Sequence, residues 1–313
     1  MKSGKHKSFP RGTGVDLPRS GADRVHGLFA AIITPFDSEG RVNVDALSDL
    51  VRFQISKGTE GIFPCGSSGL GPMLRIDERK TVAETVVKAA GRKVPVVVQV
   101  GSADTVSTVE LAKHAERVGA DAVASLTPYY YKPGDKAIVG HFEAIAKSVS
   151  IPVFAYNIPQ FTGNNLQAST VASMAKAGTI DGIKDSSRDF LHLLELLDSV
   201  PDEFVVMNGV EEYGLFAIMS GADGLVSGGA SALPEVFQSL VAAQRNGDYA
   251  AALQAQQTVL KVKNMVRSGP VPAYYTILKE RGIDCGRPRA PFLPMEAAEA
   301  KRAIKGLRDL GLI

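Results

Sequence analysis

A (β/α)8 barrel of the TIM-barrel α/β class, with additional helices at its C-terminal end, is the fold that this 313-residue sequence predicts. Three observations predict it. Short apolar, β-branched runs recur eight times. Each ends in Gly, Ser, Thr or Pro. A stretch with helical spacing of apolar residues then follows.

The runs are LFAAIITPF (28–36), GIFPCG (61–66), VPVVVQVG (94–101), DAVASLTP (121–128), IPVFAYNIP (151–159), IDGIKDS (180–186), FVVMNG (204–209) and DGLVSG (223–228). Near-continuous hydrophobic runs suit parallel strands buried on both faces. Between them, Asn43 reads as a helix N-cap, with apolar residues at Val44, Leu47, Val51 and Ile55 before Gly58. A second helix follows Asp104, with Leu111, Ala115 and Val118 on one face and Gly119 as its stop. A doubly wound sheet is the alternative, but with eight strands it would be unusually wide. Residues 1–25 read as a flexible tail, 26–246 as the barrel and 247–313 as a helical extension packed on it. The extension holds DYAAALQAQQTVLKVKNMV, VPAYYTILKERG and MEAAEAKRAIKGLRDLG.

Composition excludes several classes. At 45% hydrophobic and 22% charged, the chain has the balance of an ordinary globular protein. Residues 1–25 hold six Lys/Arg and two Asp, so of the net charge of +2 the tail carries +4 and the body −2, no basic excess suited to nucleic acid. No run is long enough to cross a membrane, and the N-terminus lacks the apolar segment of a signal peptide. Two distant cysteines, Cys65 and Cys285, form no CxxC, which points to a reducing cytoplasm. The five histidines include no HExxH, and His114 and His141 read as helix-surface residues, so no metal site is expected.

In such a barrel the C-terminal strand ends form the active face. The second run ends in CGSSGLGP, where Ser67 and Ser68 offer two hydroxyls and neighbouring amides to an anion, although taken alone a plain Gly/Ser turn is the better explanation. The fourth ends in Tyr129, Tyr130 and Tyr131, too many consecutive tyrosines all to be core. The fifth brings Tyr156, a candidate general acid/base, although a tyrosine taken singly is more often structural. The sixth ends in Lys184. A lysine ending an apolar strand either snorkels to solvent or serves as a buried amine, which when neutral forms a Schiff base with a carbonyl. With hydroxyls on the neighbouring strand ends, chemistry is the better reading. SGGAS (227–231) faintly suits the phosphate site that barrel enzymes build after strands seven and eight, and a glycine turn explains it as well.

On these motifs, over residues 25–310, the sequence resembles the dihydrodipicolinate synthase / N-acetylneuraminate lyase family of class I pyruvate-type aldolases. The resemblance implies Lys184 as the Schiff-base lysine, Tyr156 as the proton shuttle, and Ser67 and Tyr130 as its relay, Tyr130 lent by a neighbouring subunit. It implies Ser68 with nearby amides as the 2-oxo acid carboxylate site, and Gly209 as pocket lining. Two departures stand out. The synthases carry an arginine where this chain has Phe161, and the family often has a glutamate where it has Leu70. GLGPML and GRPRAPFLP resemble the 2-keto-3-deoxygluconate aldolases, whereas Glu211 and Glu212 in NGVEE resemble the sialic acid lyases, where acidic residues bind sugar hydroxyls.

The expected activity is therefore cleavage or formation of a C–C bond between pyruvate and an aldehyde, on a 2-keto-3-deoxy sugar acid. It needs no cofactor, and the expected protein is a cytoplasmic homo-oligomer, dimer or tetramer. The alternatives are a dihydrodipicolinate synthase, a dehydratase of the same family, and a non-catalytic barrel that binds a keto acid.

Overall fold

The computed structural model describes residues 22–266 and 269–313. Eight parallel strands form one sheet: β1 Gly27–Ala30, β2 Gly61–Ile62, β3 Val97–Gln99, β4 Ala122–Leu126, β5 Val153–Asn157, β6 Gly182–Asp185, β7 Val205–Asn208 and β8 Gly224–Ser227. Their order is β2-β1-β8-β7-β6-β5-β4-β3, and a parallel bridge between Ile62 and Val96 joins the two ends. The sheet closes into the expected barrel. Helices follow the strands: α1 Val44–Ser56, α2 Ile76–Ala90, α3 Thr105–Arg117, α4 Asp135–Ala146, the short α5 Pro159–Thr162, α6 Ala168–Lys176, α7 Phe190–Ser199, α8 Gly214–Met219 and α9 Pro234–Arg245. The extension adds α10 Tyr249–Met265, α11 Pro270–Glu280 and α12 Ala297–Asp309.

Each apolar run contains a strand, but the strands are shorter than the runs. Prolines account for much of this. Pro64 and Pro128 lie just beyond the ends of β2 and β4, and Pro95 and Pro152 just before β3 and β5. Without an N–H, proline cannot continue a ladder in the middle of a sheet.

A second device sets the register. Glu60, Asp121, Asp181 and Asp223 each precede an even-numbered strand. The backbone amides of these residues donate to the carbonyls of Leu28, Val96, Val153 and Val206, at 2.8–3.0 Å. The same four carboxylates accept the amides of those partners, at 2.7–2.8 Å. The barrel thus repeats one two-bond exchange four times, tying each odd strand to the even strand after it.

Side chains separate by strand alternation. Leu28, Val123, Ile183 and Val206 point outward to the helices. Phe29, Ala122, Phe154, Val205 and Val226 fill the barrel interior, with Val25 among them. Space there is tight. A Cβ on Gly61 would lie 2.1 Å from the Phe29 ring, and one on Gly182 2.3 Å from that of Phe154. Glycine on one strand is what admits a phenylalanine from the next.

The caps Asn43 and Asp104 behave as expected, each side chain accepting an amide of the first turn. On α1, however, Val44 is exposed and Leu50 is buried in its place, because the buried stripe starts one turn later. The tail expected over residues 1–25 falls largely outside the described residues, and Val25 belongs to the core.

The two histidines expected at helix surfaces are buried. His114 Nε2 meets Glu84 Oε1 at 2.9 Å. His141 lies between Thr105 Oγ1, 2.9 Å from Nδ1, and Ser125 Oγ, 3.3 Å from Nε2. Because Ser125 donates its own hydrogen to the Leu126 carbonyl, it accepts from Nε2–H, and Nδ1 accepts from Thr105. This arrangement needs a neutral ring. Burial pulls the His141 pKa down to about 4, against a small opposing influence of Asp104. Its contribution to stability is therefore complete above about pH 6.5 and fades as pH falls toward 4. A shift of this size corresponds to about 2–3 kcal/mol of stability lost between pH 7.5 and 4.5. Denaturant titrations at the two pH values should show His141→Gln losing less on acidification than the parent by that amount; equal losses would place the sensitivity elsewhere.

Candidate active site

Tyr156 on β5, Lys184 on β6 and Met207 on β7 are consecutive partners in the sheet register, so their side chains enter the barrel at one level. All three are buried. The Lys184 amine stands 4.0 Å from the centre of the Tyr156 ring and 4.4 Å from that of Phe63. Ring faces attract an ammonium and equally tolerate a neutral amine. Among the described residues, no carboxylate pairs with Lys184. Its stem passes close to the end of β7, where a Cβ on Gly209 would sit 3.0 Å from Lys184 Cε and 2.0 Å from Ser186 Oγ. Glycine at this position leaves the lysine its path.

The strands beside this amine are braced from behind. Asp185, on the outward face next to Lys184, accepts from Asn157 Nδ2 at 2.9 Å and from the Ser187 hydroxyl at 2.8 Å. Asn157 is the residue after Tyr156, so one hydrogen bond ties the two site strands together. Burial raises the Asp185 pKa, opposed by these bonds and by His192.

Ser67 and Ser68 reach the same cavity from the turn after β2, where Cys65 and Leu70 take left-handed backbone angles of +59° and +55°. Such conformations cost energy and persist where surrounding structure fixes them. Among the described residues, no backbone hydrogen bond uses the amides of Ser67 or Ser68, which leaves these two amides, with the Ser68 hydroxyl, for an anion. Ser67 Oγ lies 3.3 Å from the Tyr156 hydroxyl.

The cavity measures about 680 Å³. Gly209, Phe161 and Glu211 line it as well. Tyr130 does not belong to its lining; it is 86% exposed, at φ +79°, with its ring edge against Tyr131. Phe161 is 70% exposed at the cavity mouth.

Glu211 has partners of its own. Its Oε1 accepts the Ser227 hydroxyl and the Gly229 amide, both at 2.7 Å, and its Oε2 pairs with Lys263 at 2.9 Å. Burial would raise its pKa, but the Lys263 charge and these hydrogen bonds outweigh burial and hold it below the usual carboxylate range. Two expectations change with this. The turn after β8 is filled by the protein's own carboxylate, so it is no phosphate site, and Glu211 has little capacity left for a sugar hydroxyl. Lys263, Arg188, Gln160 and Tyr274 also line the cavity. Of these, the sequence marks only Arg188, by its place four residues after Lys184. Lys263 and Tyr274 come from α10 and α11, whose docking no local pattern reveals.

Among the described residues, no group of three or more His, Cys, Asp or Glu could hold a metal ion, and no helix is long and apolar enough to cross a membrane.

Residues 24–309 match the model of the Dihydrodipicolinate synthetase family. The chain belongs to that family. It is 38% identical to the 4-hydroxy-tetrahydrodipicolinate synthase of Chlorobium limicola, over 92% of this chain and 98% of that one. Among solved structures it resembles an E. coli K12 prophage protein of the dihydrodipicolinic acid synthase family in complex with pyruvate, with a TM-score of 0.87 and 29% identity over 92% and 99% of the two chains. A catalytic-lysine mutant of the Ruminococcus gnavus sialic acid aldolase superposes with a TM-score of 0.89 at 26% identity, over 93% and 99%. The family is one of lyases, and this chain is a member of its pyruvate-dependent class I aldolase group.

Proposed function

We propose that this protein makes or breaks a C–C bond between pyruvate and an aldehyde through a Schiff base on Lys184. The observation that carries the reading is the joint placement of a buried, carboxylate-free amine and the Tyr156 hydroxyl on adjacent strands opening into one cavity. A barrel that only bound keto acids would need neither. In the synthetic direction, the Lys184 amine attacks the 2-oxo carbon and water leaves. The resulting iminium draws electrons from C3, which loses a proton to give an enamine. The enamine attacks the aldehyde carbon, and Tyr156 delivers the proton that the new C4 oxygen requires. Ser67, at 3.3 Å, passes protons to and from Tyr156. Ser68 and the turn amides hold the pyruvate carboxylate. No metal or organic cofactor enters the scheme.

The exposure of Tyr130 suits a residue lent to the relay of a second copy, which supports a homo-oligomer, and we take the cytoplasm as its location. For the aldehyde, the named relatives support aspartate semialdehyde, and hence a dihydrodipicolinate synthase, more strongly than the sugar acid expected from sequence. One observation favours the second reading. Phe161 stands at the cavity mouth where the synthases keep an arginine, and an apolar ring suits an uncharged sugar-derived chain.

Borohydride added with pyruvate should fix one three-carbon adduct on Lys184, read by peptide mass spectrometry. An adduct only on another lysine would end the Schiff-base reading. Tyr156→Phe keeps the ring that packs edge-on against Phe63. It should retain the adduct while turnover falls about 100-fold, the usual scale for a proton-transfer group. Near-normal turnover would assign the proton work to another residue. Finally, kcat/KM with pyruvate and aspartate semialdehyde should exceed that with pyruvate and glyceraldehyde. A reversed order would make the sugar-acid lyase the better description.

A further inference from the structure

Among the described residues, three cations line the cavity: Lys184, Lys263 and Arg188. Lys184 is the amine of the proposed chemistry. Lys263 is closed off, its Nζ 2.9 Å from a Glu211 carboxylate that Ser227 and Gly229 also hold. Arg188 differs from both. Its only ion pair among the described residues is a 3.9 Å approach to Glu212, beyond hydrogen-bond range, and its side chain is 64% exposed.

Its backbone is also unusual. Arg188 sits at φ +63°, a region that favours glycine and strains any residue with a Cβ. The turn around it is fixed by hydrogen bonds. The Ser187 hydroxyl donates to Asp185 at 2.8 Å and accepts the Asp189 amide at 3.2 Å, and Asp189 caps α7 through the amides of Leu191 and His192. An arginine with open donors, held in a strained turn on the wall of a reaction cavity, is more than a surface charge.

We infer that Arg188 is the specificity residue that receives an anionic group, carboxylate or phosphate, on the aldehyde partner, in place of a cation at position 161. The planar guanidinium can hold such a group through two parallel N–H bonds. Glu212, 3.9 Å away, attracts the guanidinium without occupying its donors and is free to accept from a hydroxyl or ammonium beside that anion. Lys263, also 3.9 Å from Glu212, offsets part of the added negative charge. The inference rests on the Lys184 reading, because the anion is placed relative to a chain that grows from the pyruvate carbon.

The test uses 2-oxo acids that mimic the condensed product. 2-Oxo dioic acids of five, six and seven carbons each compete with the 2-oxo monoacid of the same length for borohydride trapping, in the parent and in Arg188→Gly. Glycine suits φ +63°, so the variant should melt within a few degrees of the parent. In the parent, at least one dioate should be trapped tenfold or more in preference to its monoacid, and Arg188→Gly should abolish that preference while pyruvate trapping stays unchanged. A parent with no preference at any length overturns the inference, as does a preference that survives in the variant. If pyruvate itself gives no adduct on Lys184, the Schiff-base reading is what has failed.

Discussion

Closure of the barrel is the constraint on which the site depends. Lys184, Tyr156, Ser67 and the Gly209 turn come from four different strand ends, and they converge only because the sheet returns on itself at Ile62 and Val96. Register then matters to the residue. A slip of one position between β5 and β6 would send Lys184 into the helical layer and Asp185 into the barrel. The exchange of two hydrogen bonds at Asp181 and Val153 fixes this pair of strands at one end. The Asn157–Asp185 bond fixes it at the other. The residues of the proposed chemistry thus occupy the inward positions, while the polar residues beside them spend their hydrogen bonds on holding the strands.

Much of this was legible in the sequence, and for physical reasons. Strands buried on both faces must be apolar nearly throughout, so eight such runs stood out, as did the one lysine that interrupts such a run at its end. The fourfold acidic device was also written there, as Glu60-Gly-Ile, Asp121-Ala-Val, Asp181-Gly-Ile and Asp223-Gly-Leu. An acidic residue before a strand reads as a loop residue until its partner amide is known, and that amide lies 17–32 residues away.

What escaped detection depends on contacts between distant segments. His141 falls on a helix whose apolar face does not distinguish a buried polar residue from an exposed one. Only the facing Thr105 and Ser125 make its burial tolerable. Glu211 read as a candidate for sugar hydroxyls because nothing near it announces Lys263, 52 positions later, or the turn after β8. Val44 and Leu50 exchanged roles because the stripe that faces the barrel is set by the neighbouring helix as well as by periodicity.

Glu211 also explains how the electrostatics of this cavity are divided. The turn after β8 offers a hydroxyl and an amide of the kind that suit an anion, and the protein fills that place with a carboxylate from β7's own loop. Doing so buries a charge, which is tolerable only because Lys263 descends from α10 to meet it. The C-terminal extension therefore supplies more than packing, since its lysine is the counter-charge for a residue two positions beyond Gly209. With that pair self-contained, the inner cavity presents an amine, hydroxyls and free amides, and among the described residues its unspent positive charge lies outward at Arg188. On the proposed reading, a substrate would meet the Lys184 amine and the hydroxyls at one end of the cavity and the Arg188 guanidinium at the other. The length of the aldehyde partner as well as its chemistry would then bear on which one fits.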